Sequence, residues 1–178
     1  MLGYVGTIGM AHKIDFLIDC VKGLPEYKLM ILGEGAEKET LQKKVKDEGV
    51  ENVFFVDAVP KEKVGDYIAL QDIALVNLRR DPLFTTVLPS KIFETAAMQI
   101  PILLGVDGEA RRLVEGYNAG LFYEPEDKKD FLEKLDLLAN NTSVYEACKA
   151  GGEKLAKDFD RKELAGKMLK VIEEAVTK

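Results

Sequence analysis

Short apolar runs of strand length alternate with longer stretches of helical period along almost the whole chain, and this alternation leaves little choice besides a parallel sheet wound with helices. Gly3 to Thr7 reads as a first strand, broken by Gly6 and Gly9 ahead of a helix whose Ile14, Leu17, Ile18 and Val21 fall at helical spacing. Lys28 to Leu32, Asn52 to Val56, Asp72 to Val76, Pro101 to Leu104 and Gly120 to Tyr123 read as the remaining strands. A charged helix is expected from Ala36 to Glu48, others opened by Pro60 and Pro89, and a further one near Glu109 to Glu115. The Pro89 helix is expected to bury Ile92, Phe93, Ala96 and Ala97, its alanines allowing close approach to the sheet. Beyond Tyr123 everything reads helical, with one apolar stripe at Phe131, Leu135 and Leu138 and another at Leu164, Met168, Val171, Ile172 and Ala175.

The fold class is therefore α/β: a Rossmann-like, doubly wound parallel sheet of about six strands with flanking helices and a helical C-terminus. Its 178 residues suit a single domain, 1–178, and a chain of that size buries about 70% of its unfolded surface. A first strand that begins at once leads to the expectation that no domain precedes it. Hydrophobic residues make up 47% and charged ones 31%, too apolar a mixture for a disordered chain. Cys20 and Cys148 have no clustered thiol or histidine beside them in sequence, so the reading is two thiols in a reducing, cytoplasmic compartment, with no metal site. No apolar run reaches the roughly eighteen residues of a spanning helix, and no secretory leader is legible. A net charge of −6 argues against nucleic acid as partner. A small anion is still compatible, because salt screens distant charges over roughly 8–10 Å and local bases then decide the site.

Three constellations point to an anion. Gly6-Thr7-Ile8-Gly9 follows a strand and precedes a helix, where glycines admit a phosphate to backbone N–H groups; without a ligand the same residues make a tight turn. His12 and Lys13 are expected in the first turn of that helix, an unfavourable place for cations unless an anion sits there. Lys91 and Glu94 share a helix face three residues apart, suited to a phosphate and a pair of sugar hydroxyls, or else to an exposed ion pair. Between Asn77 and Leu88 runs a long loop, the kind of segment that is usually functional. Arg79, Arg80, Arg111 and Arg112 are minor candidates for phosphate contacts. No nucleophile with a paired base and no metal-ligand cluster is legible, which leaves hydrolase and metalloenzyme readings without residues.

The order of these blocks resembles the C-terminal domain of glycosyltransferase family 4, the retaining group of GT-B architecture, over nearly the whole chain. The blocks that carry the resemblance are Gly6 to Gly9 with Lys13-Ile14-Asp15-Phe16-Leu17, Ile31 to Gly35, and Asn52-Val53-Phe54-Phe55. They continue with Pro89 to Glu94, Pro101-Ile102-Leu103 with Gly108-Glu109, and Gly120 to Asp127. The resemblance implies one half of a GT-B fold, with the donor nucleotide at the carboxyl ends of the strands. It implies that Glu94 holds the ribose hydroxyls, that the base lies against the backbone of Ala58 and Val59, and that Gly9, Ser90 and Lys91 face the diphosphate. Gly6, Thr7, His12, Gly33 and Thr86 complete the implied donor-binding set. Thr7 and His12 stand where the family commonly has an arginine and a lysine, so diphosphate contacts are expected to be rearranged. Thr86 stands where it commonly has a second glutamate, so donor-sugar contacts cannot be carried over from that residue. Gly9-Met10-Ala11-His12 and Leu88-Pro89-Ser90-Lys91 look like bacterial and archaeal surface-polysaccharide transferases, including those using a UDP donor of N-acetyl-L-fucosamine.

The resulting expectation is a donor-binding domain for a nucleoside-diphosphate sugar, UDP before GDP, of hexosyl or N-acetylhexosaminyl type. The acceptor-binding N-terminal domain is missing, and part of the catalytic groups with it, so this chain alone is expected to be inactive. No cofactor or metal is expected, and membrane contact would come only through the missing half, at the inner face. Two alternatives are a related GT-B nucleotide-sugar epimerase and a non-catalytic nucleotide-binding or regulatory subunit of a split transferase.

Overall fold

Six short apolar segments form the strands β1 (Leu2–Val5), β2 (Leu29–Leu32), β3 (Val53–Val56), β4 (Ile73–Asn77), β5 (Ile102–Gly105) and β6 (Gly120–Phe122) in the computed structural model, which describes residues 1–176. They join one sheet in the order β3-β2-β1-β4-β5-β6, each neighbouring pair parallel. The connecting helices are α1 (Ile14–Val21), α2 (Lys38–Asp47), α3 (Lys61–Ile68), α4 (Lys91–Ala97) and α5 (Glu109–Tyr117). After the sheet come α6 (Lys128–Asn140), α7 (Thr142–Asp158) and α8 (Arg161–Val176).

Both sheet faces are covered, which is why the strands read as continuous apolar runs rather than as alternating ones. Tyr4, Ile31, Leu75 and Leu103 pack on one face with Leu17 of α1, Leu41 of α2 and Phe131 of α6. Val76, Ile102 and Leu104 pack on the other with Ile92 of α4, Val114 of α5 and Leu155 of α7. Each of these buried side chains contributes about 1.5–3 kcal/mol. The strand order reverses between β1 and β4, and at such a switch point the carboxyl ends of an open parallel sheet leave a crevice.

Four strands start one residue later than the apolar runs suggest: Lys28, Asn52, Asp72 and Pro101 stand just before the strands, and the carbonyls of Lys28, Asn52 and Pro101 still accept from Leu2, Leu29 and Ala74 of the neighbouring strands. β1 stops at Val5, since Gly6 leaves extended geometry at φ +141°. The loop from Asn77 to Leu88 is not wholly irregular, because Pro82–Thr86 form a 3-10 turn started by Asp81, whose carboxylate accepts from the Leu83 amide. On α4 the expected inward face is rotated: Thr95 is buried and Ala97 is exposed. Ala96 meets Gly152 of α7, where an added Cβ would lie 3.3 Å from the Ala96 carbonyl oxygen, so the small residue serves helix-helix contact. Every residue of α8 is exposed, including the expected stripe from Leu164 to Ala175. No helix among the described residues is long and apolar enough to cross a membrane.

Candidate functional site

A cavity of about 320 Å³ opens at the switch point, within the range of small-molecule sites. Val5, Gly6 and Thr7 line it from the end of β1, Val76, Asn77 and Leu78 from the end of β4, and Pro89, Ser90, Lys91 and Glu94 from the start of α4; His12 also reaches it. A larger open depression at Arg80 and Pro125–Lys129 has its arginine committed, since Arg80 pairs with Glu124 at 2.8 Å.

The Gly6–Gly9 turn is built by backbone pressed on backbone. Gly33, at φ +149°, has no room for a side chain, because a Cβ would fall 1.8 Å from the Gly6 carbonyl oxygen. The Gly6 amide donates to the Leu32 carbonyl at 2.9 Å and the Ile8 amide to the Glu34 carbonyl at 2.8 Å. Those bonds leave the Thr7 and Gly9 amides as the turn's uncommitted donors among the described residues. The helix does not start where the sequence places it. Met10–His12 form a 3-10 turn, Lys13 is left-handed at φ 48°, and α1 begins at Ile14. His12 and Lys13 therefore lie outside the first turn of α1, and Lys13 turns away to pair with Asp15 at 3.0 Å.

Lys91 is the centre of the electrostatics. Its ammonium is buried without a hydrogen-bond partner and sits 3.9 Å from the centroid of the Tyr4 ring. Burial pushes its pKa from 10.5 down to about 8, with the carboxylate of Glu94 opposing from a distance. The expected alternative of an exposed Lys91–Glu94 ion pair is not what forms, since Lys91 points inward and Glu94 remains exposed on the cavity rim. Nδ1 of His12 is likewise buried without a partner. Burial first, then the Lys91 ammonium, lowers the His12 pKa below its ordinary 6.5, while the Gly9 backbone works in the opposite direction. Lys91 Nζ, a buried donor with nothing to donate to, and the buried, unpartnered Nδ1 of His12 thus lie beside one cavity. Buried polar groups in folded chains are normally satisfied, so the pair marks a place for an oxygen-rich anion.

Ser90 precedes α4 without capping it by its side chain. Asn77, 3% exposed, donates through Nδ2 to the carbonyls of His12 at 2.5 Å and Lys13 at 3.3 Å, and so fixes the path of the 3-10 turn; its Oδ1 is buried and unpartnered. The sequence reading missed Asn77 as a site residue, placing it at the start of a loop. An amide closing the apolar strand Ile73-Ala74-Leu75-Val76 is the signal that could have found it.

Of the residues expected at the site, Gly6, Thr7, His12, Ser90, Lys91 and Glu94 come together around the cavity. Gly9, Gly33, Ala58, Val59 and Thr86 lie outside its lining. Gly9 is near His12, and Gly33 supports Gly6 from behind. Ala58 follows β3, its amide donating to Glu34 Oε1 at 3.2 Å, an oxygen that also accepts from Lys38 at 2.6 Å. Thr86 is exposed at the end of the 3-10 turn. Each of the four arginines is engaged by a carboxylate: Arg79 by Asp81, Arg80 by Glu124, Arg111 by Glu115 and Arg112 by Glu109. Among the described residues no group of three or more His, Cys, Asp or Glu side chains is arranged to hold a metal ion.

Residues 1–155 match the protein family described as glycosyl transferases group 1. An uncharacterized glycosyltransferase of Haemophilus influenzae is 27% identical over 147 residues, which are 79% of this chain and 40% of that protein. Among solved structures, Alr3699/HepE of Anabaena in complex with UDP superposes with a TM-score of 0.84 at 15% identity, over 97% of this chain and 48% of that one. The C-terminal domain of the group 1 glycosyl transferase LpcC of Francisella tularensis superposes with a TM-score of 0.72 at 18% identity, over 89% of this chain and 84% of that one. This chain thus spans less than half the length of the Haemophilus and Anabaena proteins. At these identities the structural likeness establishes the fold, one half of a GT-B architecture.

Proposed function

This chain belongs to the group 1 glycosyl transferases, and on that premise we propose that it is the donor-binding half of a retaining transferase that takes its sugar from a UDP-sugar. The observation that carries the reading is the pair of buried, unpartnered nitrogens, Lys91 Nζ and His12 Nδ1, beside the Gly6–Gly9 turn. Beside such a cavity these nitrogens would bind a diphosphate with charge-assisted bonds. Glu94 lies on the rim of the same cavity and would accept from the two ribose hydroxyls. Ala58 and Val59 would receive the base through their backbone. The diphosphate charge is met by Lys91, His12, Ser90 and the Thr7 and Gly9 amides rather than by a metal ion. UDP bound to the Anabaena protein supports uracil as the base.

The partner of this half is an acceptor-binding N-terminal domain that supplies the other wall of the cleft and part of the catalytic groups. Two observations support it. Relatives are about twice as long as the chain, and α8 exposes Met168, Leu169, Val171 and Ile172 with nothing packed on them among the described residues. In this reading the chain alone gives no turnover. The acceptor in this reading is a glycan or a lipid-linked acceptor in surface-polysaccharide synthesis, in the cytoplasm at the inner face of the membrane, which the other half would contact.

Calorimetric titration of the chain with UDP and GDP tests the reading. UDP binding in the micromolar-to-millimolar range, with GDP weaker, is expected. A folded chain that binds neither nucleotide contradicts the donor site, and a preference for GDP contradicts the choice of base.

A further inference from the structure

Tyr4 is a fully buried tyrosine in β1, on the face that packs against α1. Its two ends have separate tasks. The hydroxyl donates to the Thr7 carbonyl at 2.7 Å, spanning the Gly6 turn. The ring carries the Lys91 ammonium on its face, 3.9 Å from the centroid, while the His12 ring meets it edge-on at 6.2 Å. Lys91 Nζ has no hydrogen-bond partner, so the π face is the favourable contact this buried ammonium has. Such a contact is stronger for a desolvated cation than for an exposed one. Bare Gly6 completes the seat, because a Cβ there would come 2.9 Å from Nζ.

We propose that Tyr4 is the positioning residue of the phosphate site: its ring seats the Lys91 ammonium and its hydroxyl fixes the glycine turn, so that cation and backbone amides converge on one diphosphate. The inference rests on the reading of the cavity as a nucleoside-diphosphate site and adds a residue that itself touches no ligand. The need for such a residue follows from the connectivity. The turn hangs from β1, whereas Lys91 arrives on α4 after the long β4–α4 connection, so the two phosphate-binding elements share no covalent register. Tyr4 contacts both. Burial raises the phenol pKa, so the hydroxyl keeps the proton it donates to Thr7, and the ring face attracts the cation through its quadrupole. The charged or titratable groups facing the ammonium besides it are His12 from the 3-10 turn and Glu94 from α4.

The test is calorimetric titration of the chain and its Tyr4→Phe and Tyr4→Leu variants with UDP and inorganic pyrophosphate between pH 6 and 10, with circular dichroism confirming the fold. Tyr4→Leu is expected to bind both anions about tenfold or more weakly, and to lose binding at lower pH than the wild type, because its Lys91 ammonium has no seat. Tyr4→Phe keeps the ring, so its pH midpoint is expected to stay in place while affinity falls only about threefold with the Thr7 anchor. Wild-type affinity and an unmoved midpoint in Tyr4→Leu overturn the positioning role. If Tyr4→Leu does not fold, pentafluorophenylalanine at position 4 decides, since it keeps the shape of phenylalanine and reverses the charge of the ring face. It is expected to lose the affinity that Tyr4→Phe retains, and equal affinity overturns the role. A folded wild-type chain that binds neither UDP nor pyrophosphate overturns the donor-site reading and the role of Tyr4 together.

Discussion

Gly33 at the end of β2 packs directly on the backbone of Gly6 at the end of β1, so closely that a Cβ on Gly33 would stand 1.8 Å from the Gly6 carbonyl oxygen. The obstacle is backbone on both sides, which cannot swing away as a flexible side chain can. Gly33→Ala is expected to destabilise the chain by about 2–4 kcal/mol, combining strain at a left-handed position with displacement of the turn. Denaturant unfolding measures it, and a loss below about 0.5 kcal/mol would show that the turn can shift freely.

Lys91 is set against stability. A lysine pKa lowered from 10.5 to about 8 means that carrying the ammonium buried costs the ligand-free fold about 3 kcal/mol at pH 7. Lys91→Met, of similar length and uncharged, is expected to raise unfolding stability by about 1–3 kcal/mol at that pH and to abolish UDP binding. The sign with pH follows from the depressed folded value. The native state gives up the proton near pH 8 and the unfolded chain near 10.5, so wild-type stability recovers between those values and the difference from Lys91→Met shrinks. Paired unfolding curves at pH 7 and 10 read it directly.

UDP affinity carries the same linkage. A bound diphosphate holds Lys91 protonated, so above pH 8 the free chain must take up a proton to bind, and affinity is expected to fall by up to about tenfold per pH unit there. Burial and the Lys91 ammonium lower the His12 pKa in the free chain, so a diphosphate that favours its protonated form is expected to bind more tightly as pH falls. Calorimetry at pH 8.5 in buffers of different ionisation enthalpy counts the protons. An affinity that does not change between pH 7 and 10 would remove Lys91 from the phosphate contacts.

α8 is exposed at every residue. Removal of the chain from Arg161 onward is accordingly expected to change unfolding stability by about 0.5 kcal/mol or less, as surface changes do, and to leave UDP binding unaltered. In the proposed function its apolar stripe at Met168, Val171 and Ile172 would face the acceptor-binding half. A large loss of stability would mean that α8 supports this half from within.

The layered fold was legible because the sheet is buried on both faces, so runs such as Leu29-Met30-Ile31-Leu32 and Ile102-Leu103-Leu104 leave a signal that does not depend on partners. Spacing put Lys91 and Glu94 on one helix face, but it fitted an exposed ion pair as well, and only the family resemblance pointed to them as site residues. What escaped was set across the sequence. That Lys91 turns inward onto Tyr4 depends on a strand eighty-seven residues away, and that His12 leaves the helix depends on Asn77 capturing its carbonyl. Neither contact has a local period. The exposed face of α8 shows the converse limit: amphipathic spacing predicts a helix and an apolar stripe, but not whether the stripe's partner is on the same chain.

Glu94 offers the most direct check of the donor site, through titration of UDP and 2′-deoxy-UDP into the wild-type chain and Glu94→Ala. If the carboxylate holds the ribose, removing either the hydroxyl or the side chain weakens binding by about tenfold, about 1.4 kcal/mol, and removing both costs little more than one. UDP binding to Glu94→Ala as tight as to the wild type would contradict the nucleotide site at this end of the sheet.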